Sequence, residues 1–491
     1  MKFFVCFILG WLYTLSFSPY NISAMSLISI IAFILILELD SFKDSIIKSS
    51  LFSFGYFISG TYWLENVIRL YSDTSYVLTI IIISFFIIYL SLFIVIPVAI
   101  SSYFKNNLKL HENYSLIIMS ILLTFFEIIR SNIFTGFSWF NFGQAAISSP
   151  LEYFFPVIGV HGITLIIFLS AIFIINFVRA NNLKFFLPLS VILLLFYFNI
   201  YSKEWTLPSS KVFNISVVQP NFSNKLSYSK DETIRRMSIL RDMSLKPSVK
   251  NSDIILWPEA PISIPFNDLR NSYYKNILLE FPDTTTLVAG NFFREQNNIY
   301  NSIINISSSE SFYHKKHLVP FGEYLPFRKS MFYIYNFIGL NTYDISPGKL
   351  TNIIEVNNLK AYALICYESI FSKEALIKNT KADFIINVSN DGWFGDSLAP
   401  YQHLDALRMR SLENQRYSAR STNNGISAVI SPYGEIIKFI PYNKKGSISA
   451  DIVSRNGHTP LSKYGYNILY IFIFIIFIYA SIYFNIKSFK R

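Results

Sequence analysis

Residues Lys360 to Glu368 read Lys-Ala-Tyr-Ala-Leu-Ile-Cys-Tyr-Glu: a short apolar run of strand character stops on a cysteine, and a carboxylate follows closely. A thiol at a strand end can act as a nucleophile, but its free pKa near 8.5 keeps it mostly protonated at neutral pH, so it needs a base or a positive neighbour. The chain contains 2 cysteines, and the other, Cys6, lies in an apolar N-terminal run where no polar partner can be inferred. No disulfide framework is expected. Taken alone, a cysteine after a strand is more often a small buried hydrophobe. Its company argues for chemistry. Asp253-Ile-Ile-Leu-Trp-Pro-Glu259 ends a second apolar run on a glutamate, with Pro258 and Pro261 fixing the backbone around it. Tyr313-His-Lys315-Lys-His-Leu-Val-Pro-Phe-Gly-Glu323-Tyr324 gathers lysines, two histidines and a carboxylate beside an apolar turn. Each stretch alone also reads as solvated surface charge. His314 and His317 have no further His or Cys nearby, a poor zinc signature, so no metal is expected. Together, the three residue types suit acyl transfer through a thioester: Glu259 takes the thiol proton and later returns it to a leaving group, and Lys315 stabilises the oxyanion of a tetrahedral intermediate. No cofactor enters this scheme.

These residues need strands to hold them. Short β-rich runs recur at 214–219, 253–257, 286–289, 299–306, 361–366, 384–388 and 426–431. Between them, 231–243 and 403–417 have helical period, the latter placing Leu404, Leu407 and Leu412 near one face. Strands alternating with helices over about 202–465 predict a layered α/β domain of the upper ordinary size.

The rest of the chain belongs in a membrane. Of 491 residues 52% are hydrophobic, and the mean hydropathy of +0.38 is well above that of an ordinary soluble protein. Apolar segments at 3–18, 21–39, 49–65, 76–103, 115–129, 157–178 and 185–201, with another at 466–486, predict about eight transmembrane helices. The domains follow: 1–201 as a seven-helix membrane domain, 202–465 as the catalytic domain, and 466–491 as a last helix with a cytoplasmic tail. The first segment ends without an Ala-x-Ala-like cleavage site and reads as a retained helix. The formal net charge of +11 carries no nucleic-acid motif or basic aromatic patch, so no nucleic acid is expected. The basic residues sort by topology instead: Lys2, Lys43, Lys48, Lys105, Lys109, Arg179, Lys184, Lys487, Lys490 and Arg491 fall in every second connection, while the opposite short loops carry only Arg69 and Arg130. The positive-inside rule then puts both termini in the cytoplasm and the polar domain outside. Glu127, near the end of the fifth span, is an ionisable group at membrane depth, to be explained by function or by a pairing with Arg130 one turn away. The aromatic, glycine-rich stretch Ser131 to Gly143 reads either as an interfacial anchor or as part of a way in for lipid.

Pro258-Glu259, Lys315 and Cys366-Tyr367-Glu368 resemble the Glu-Lys-Cys triad of the nitrilase superfamily. More narrowly, Trp257-Pro-Glu259-Ala, His317 to Tyr324, Ile365-Cys-Tyr-Glu368, Ser389-Asn-Asp-Gly-Trp-Phe-Gly-Asp396 and Arg420-Ser-Thr-Asn-Asn-Gly425, in that order, resemble the apolipoprotein N-acyltransferase family. The resemblance implies a periplasmic α-β-β-α sandwich in the bacterial inner membrane, with Glu259 as base, Lys315 as oxyanion stabiliser and Cys366 as nucleophile. It implies that Glu323, Tyr367 and Glu368 support the site and substrate binding, that a phospholipid is the acyl donor, and that a diacylglyceryl-modified apolipoprotein is the acceptor. Where the family tends to have a tryptophan this chain has Tyr228, which keeps an aromatic ring and loses the indole donor. Two other readings compete. A membrane-tethered amidase would use water as the acceptor, though about eight spans exceed what a tether needs. A transporter would carry more ionisable residues and paired broken helices in its spans. The apolar, aromatic stretch Phe327 to Tyr343 fits either a buried helix or an arm that dips into lipid beside Glu323.

Overall fold

The computed structural model describes all residues except 1, 40, 73, 180–182, 224–228, 308–310, 341–343, 379–380 and 489–491. The chain forms two compact units, one of Met1–Glu65, Tyr76–Lys203 and Lys463–Arg491, the other of Asn66–Ser75 and Glu204–Ser462.

The second unit is built on β1 (Thr206–Gln219), β2 (Ile254–Trp257), β3 (Thr286–Glu295), β4 (Asn298–Asn305), β5 (Phe312–His314), β6 (Ile353–Val356), β7 (Leu359–Ile365), β8 (Phe384–Ser389), β9 (Ser418–Thr422), β10 (Ser427–Ile430), β11 (Ile436–Ile440) and β12 (Gly446–Gly457). They form two six-stranded sheets, ordered β12-β1-β2-β3-β4-β5 and β11-β10-β9-β8-β7-β6. In each, the central strands β1-β2-β3 or β7-β8-β9 are parallel and the flanking pairs antiparallel. Alternate residues point to opposite faces, so Ile215 and Val217, with Ile254 and Leu256, meet Ala361, Ala363, Ile386 and Val388 of the other sheet in a common core. The opposite face of the first sheet packs Val218, Ile255 and Leu287 against Leu240 and Met243 of the helix Lys230–Ser244. That of the second packs Leu364, Ile385 and Ile430 against Leu404 and Leu407 of the helix Ala399–Asn414. The result is the four-layered α/β arrangement. This second helix begins before the predicted 403 and ends before 417, because Pro400 suits its first turn and Gln415 turns left-handed at φ 45°.

The first unit is helical. Among the described residues four helices are long and apolar enough to cross a membrane, at Tyr76–Asn107, Glu112–Arg130, Pro150–Val178 and Asn467–Phe484, and Lys2–Ser16, Ala24–Leu37 and Phe186–Ile200 are shorter apolar ones. Val77, Ile80, Ile81, Phe85 and Ile88 of the longest are exposed, an apolar surface of the kind that suits lipid. The helices Lys2–Tyr13 and Phe42–Thr61 cross where a Cβ on Gly10 would lie 1.9 Å from Phe52 O and one on Gly55 2.0 Å from Phe7 O, so only glycine permits the approach. Lys48, placed by sequence in a connection, is buried within Phe42–Thr61 and donates to Ile36 O and Leu37 O, the free carbonyls at the end of Ala24–Leu37. Glu127 accepts from Phe142 N and Thr164 Oγ1 at 2.8 Å and lies 2.8 Å from His161 Nδ1. Arg130 instead donates to Trp139 O, Phe140 O and Asn141 Oδ1. These two charges therefore clamp the segment Trp139–Ala146, whose residues are buried within the unit; of the stretch expected to anchor at an interface, Ile133 and Phe134 are exposed.

Candidate active site

The three residues at strand ends converge. Cys366 directly follows β7, Lys315 directly follows β5, and Glu259 comes two residues after β2, where a Cβ on Gly290 of the adjacent β3 would lie 2.5 Å from Pro258 O. Lys315 Nζ is 2.8 Å from Glu323 Oε2 and 3.6 Å from Glu259 Oε1, and both Lys315 and Glu259 are buried. Asn301 Nδ2 donates to Glu259 Oε1 at 2.7 Å and to Glu323 Oε1 at 2.9 Å, and Asn390 N donates to Glu259 Oε2 at 2.8 Å. The Cys366 thiol and the Glu259 carboxylate act on each other as hydrogen-bond partners and through charge, and Lys315 acts on the thiol through its charge. Its φ of 49° is a left-handed conformation, which costs a non-glycine residue about 1–2 kcal/mol. Strain of this kind concentrates where the surroundings hold a functional group in place.

Glu368 connects the strand ends. Its Oε1 accepts from Tyr313 OH at 2.7 Å, Lys316 N at 2.8 Å and His317 N at 3.2 Å, and its Oε2 accepts from Ile365 N at 2.7 Å. One carboxylate thus ties the backbone beside Lys315 to the backbone beside Cys366. Glu323 is also fastened by Val319 N at 2.8 Å. The Tyr367 ring packs on Phe371 and His317. Tyr228 lies outside the described residues. His314 and His317 do not act as a pair: His314 Nδ1 is 2.6 Å from Ser302 Oγ, and His317 Nδ1 is 2.8 Å from Glu374.

The electrostatics define resting states. Burial pushes the Cys366 thiol far above its ordinary value, Glu259 adds to the rise, and Lys315 opposes it, so the group rests as a neutral thiol. Burial also raises Glu259, offset in part by Lys315, with Glu323 adding to the rise. For Lys315 burial acts downward, but the Glu323 and Glu259 carboxylates outweigh it and hold the ammonium well above the ordinary lysine value. A protonated thiol, a carboxylate that interacts with it and a buried cation are the parts from which a base-activated thiol can be built. Sequence reasoning missed Asn301, which sits on the predicted strand 299–306 as one more polar residue. It also gave no role to Asp391, His403 or Arg420, although two of these lie in the quoted motifs.

A layered thiol-containing domain of this kind has known counterparts. Residues 215–458 match the family model described as carbon-nitrogen hydrolase, and residues 9–173 match the apolipoprotein N-acyltransferase N-terminal domain. The chain is similar to an apolipoprotein N-acyltransferase of Wigglesworthia glossinidia brevipalpis, 31% identical over 99% of each chain. It is also similar to those of Pseudomonas syringae pv. tomato, 28% identical over 92% of this chain and 90% of that one, and of Coxiella burnetii, 30% identical over 87% and 90%. The chain belongs to the apolipoprotein N-acyltransferase family, and it is an acyltransferase.

Proposed function

We propose that this enzyme takes a fatty-acyl group from a membrane phospholipid, holds it as a thioester on Cys366, and passes it to the α-amine of the N-terminal diacylglyceryl-cysteine of an apolipoprotein, the last step of bacterial lipoprotein maturation. The buried Glu259–Lys315–Cys366 set carries this reading. Because the resting thiol is neutral, Glu259 removes its proton as sulfur attacks the ester carbonyl, and Lys315 stabilises the oxyanion. When the tetrahedral species collapses, the C–O bond breaks and Glu259 returns the proton to the departing lysophospholipid oxygen. The acceptor amine then attacks the thioester, Glu259 takes its proton, the C–S bond breaks, and sulfur recovers the proton. Glu323 and Glu368 keep the base, cation and nucleophile in register, and Tyr367 lines the site beside the thiol. The chain crosses the bacterial inner membrane about eight times, with both termini cytoplasmic and the catalytic unit periplasmic, as the alternation of Lys and Arg supports. The aromatic helix Phe332–Phe337 acts as an arm toward lipid, since Phe332, Tyr333, Ile334 and Phe337 are exposed around a buried Tyr335. Intact mass spectrometry after incubation with phospholipid tests the covalent step. Wild type is expected to gain one hydroxylamine-labile fatty-acyl mass that Cys366→Ala lacks; wild type that turns lipid over with no adduct sinks it.

A further inference from the structure

The side chains of the motifs Ser389–Asp396 and Arg420–Gly425 have no part in the reaction scheme, yet Asp391 and Arg420 of these motifs meet at His403, which reaches the backbone of the nucleophile. His403, fully buried in the helix Ala399–Asn414, has Nε2 3.0 Å from the carbonyl oxygen of Cys366. Its Nδ1 is 2.9 Å from Asp391 Oδ1 and 3.1 Å from Arg420 Nη2. Asp391 is fixed in turn, accepting from Ser389 Oγ at 2.7 Å and from Arg420 Nη2 at 2.7 Å. Arg420 also donates to Asn387 Oδ1 and to Ile426 O. Ser369 Oγ donates to the same Cys366 oxygen at 2.9 Å. All of these side chains are buried.

A peptide carbonyl has no hydrogen to offer, so the 3.0 Å contact requires the hydrogen on Nε2 of His403. The carbonyl belongs to the residue whose φ is 49°, a conformation that relaxes unless its surroundings over-determine it. The peptide group is planar and trans, so fixing its oxygen also fixes the direction of the Tyr367 N–H on the opposite side.

We propose that His403 is a positioning residue for the thiol: donating to the Cys366 carbonyl from a buried ring whose Nδ1 is packed between Asp391 and Arg420, it holds the nucleophile's backbone in the left-handed conformation that turns Sγ to Glu259 and Lys315. The proposal rests on Cys366 being the nucleophile. The test compares full-length His403→Phe, His403→Gln and Cys366→Ala with wild type, using phospholipid as donor and a diacylglyceryl-cysteine peptide as acceptor, with rates expressed per folded molecule. A misaimed nucleophile costs about 100-fold in kcat, so His403→Phe is expected to lose that much while its KM for phospholipid stays within about threefold. His403→Gln, whose amide can donate to the same oxygen, is expected to recover to within about tenfold of wild type. A purely structural role would lower the yield of folded protein and leave kcat per folded molecule unchanged; that result, or equal losses in the two variants, overturns the proposal. Should His403→Phe not fold, Ser369→Ala removes the other donor to that oxygen: a drop of about tenfold in kcat at constant KM is expected, and unchanged kcat overturns the proposal. Activity in Cys366→Ala would remove the nucleophile itself, whereas an inactive Cys366→Ala beside a fully active His403→Phe removes only the positioning.

Discussion

Asn301 shows how a neutral side chain sets the working range of this site. Its amide donates to both Glu259 and Glu323, two carboxylates that share the single ammonium of Lys315. A donor to the ionised form of Glu259 lowers its pKa, against the larger upward push of burial. In the proposed mechanism Glu259 must be ionised when the thiol attacks, so the acidic limb of kcat/KM is expected to follow the raised Glu259 value. Replacing Asn301 by Leu removes the donor and raises Glu259 further; the acidic limb is therefore expected to move to higher pH while the alkaline side is little changed. A pH profile of acyl-enzyme formation checks the sign, and a shift toward lower pH would contradict the assignment of Glu259 as base. Sequence alone exposed the charged members of this group, because Glu259 ends an apolar run and Lys315 and Glu323 stand in a charge-dense stretch beside an apolar turn. It did not expose Asn301, since a polar residue on an edge-ward strand carries no mark of which carboxylates the fold will bring to it.

Among the elements, legibility followed the hydrophobic pattern. The strands before Glu259 and Cys366 were readable as short apolar runs. β9, reading Ser-Ala-Arg-Ser-Thr, was not: its residues are buried, but Arg420 is satisfied by Asn387, Asp391 and Ile426, so hydrogen bonds replace the apolar signal. β12 does alternate, with Ala450 and Ile452 in the core, but its many serines mask the period. The arm was legible in composition and left two readings open. Its aromatics are largely exposed, while Tyr335 packs with Leu325 and Leu340 and donates to Pro326 O; the part of it at 341–343 lies outside the described residues. Because Phe332, Ile334 and Phe337 are exposed, changing all three to Ser is expected to alter thermal stability by less than about 1 kcal/mol. Turnover of phospholipid in vesicles is expected to fall by about tenfold or more if these rings enter lipid. Equal turnover by the variant and wild type would rule out a lipid-facing arm.

For the whole molecule, orientation can be read by labelling, since both native cysteines, Cys6 and Cys366, are buried and give little background. A cysteine placed at the exposed Ser238 is expected to react with a membrane-impermeant maleimide in spheroplasts, and one at Asn107 only after permeabilisation. The reverse pattern would invert the topology drawn from the basic residues. A different consequence follows from the pairing of β1 with β12, which runs antiparallel from Thr206 opposite Gly457 to Gln219 opposite Gly446. The first strand of the catalytic unit to be synthesised waits for the last. Until Gly446–Gly457 has been made, β1 can join β2 on one side only, and its other edge presents unpaired backbone groups that invite intermolecular pairing. Biogenesis of this enzyme therefore carries a window of vulnerability that closes only when Gly446–Gly457 has left the ribosome, and a chain stopped short of Gly446 would be a target for chaperones and proteases.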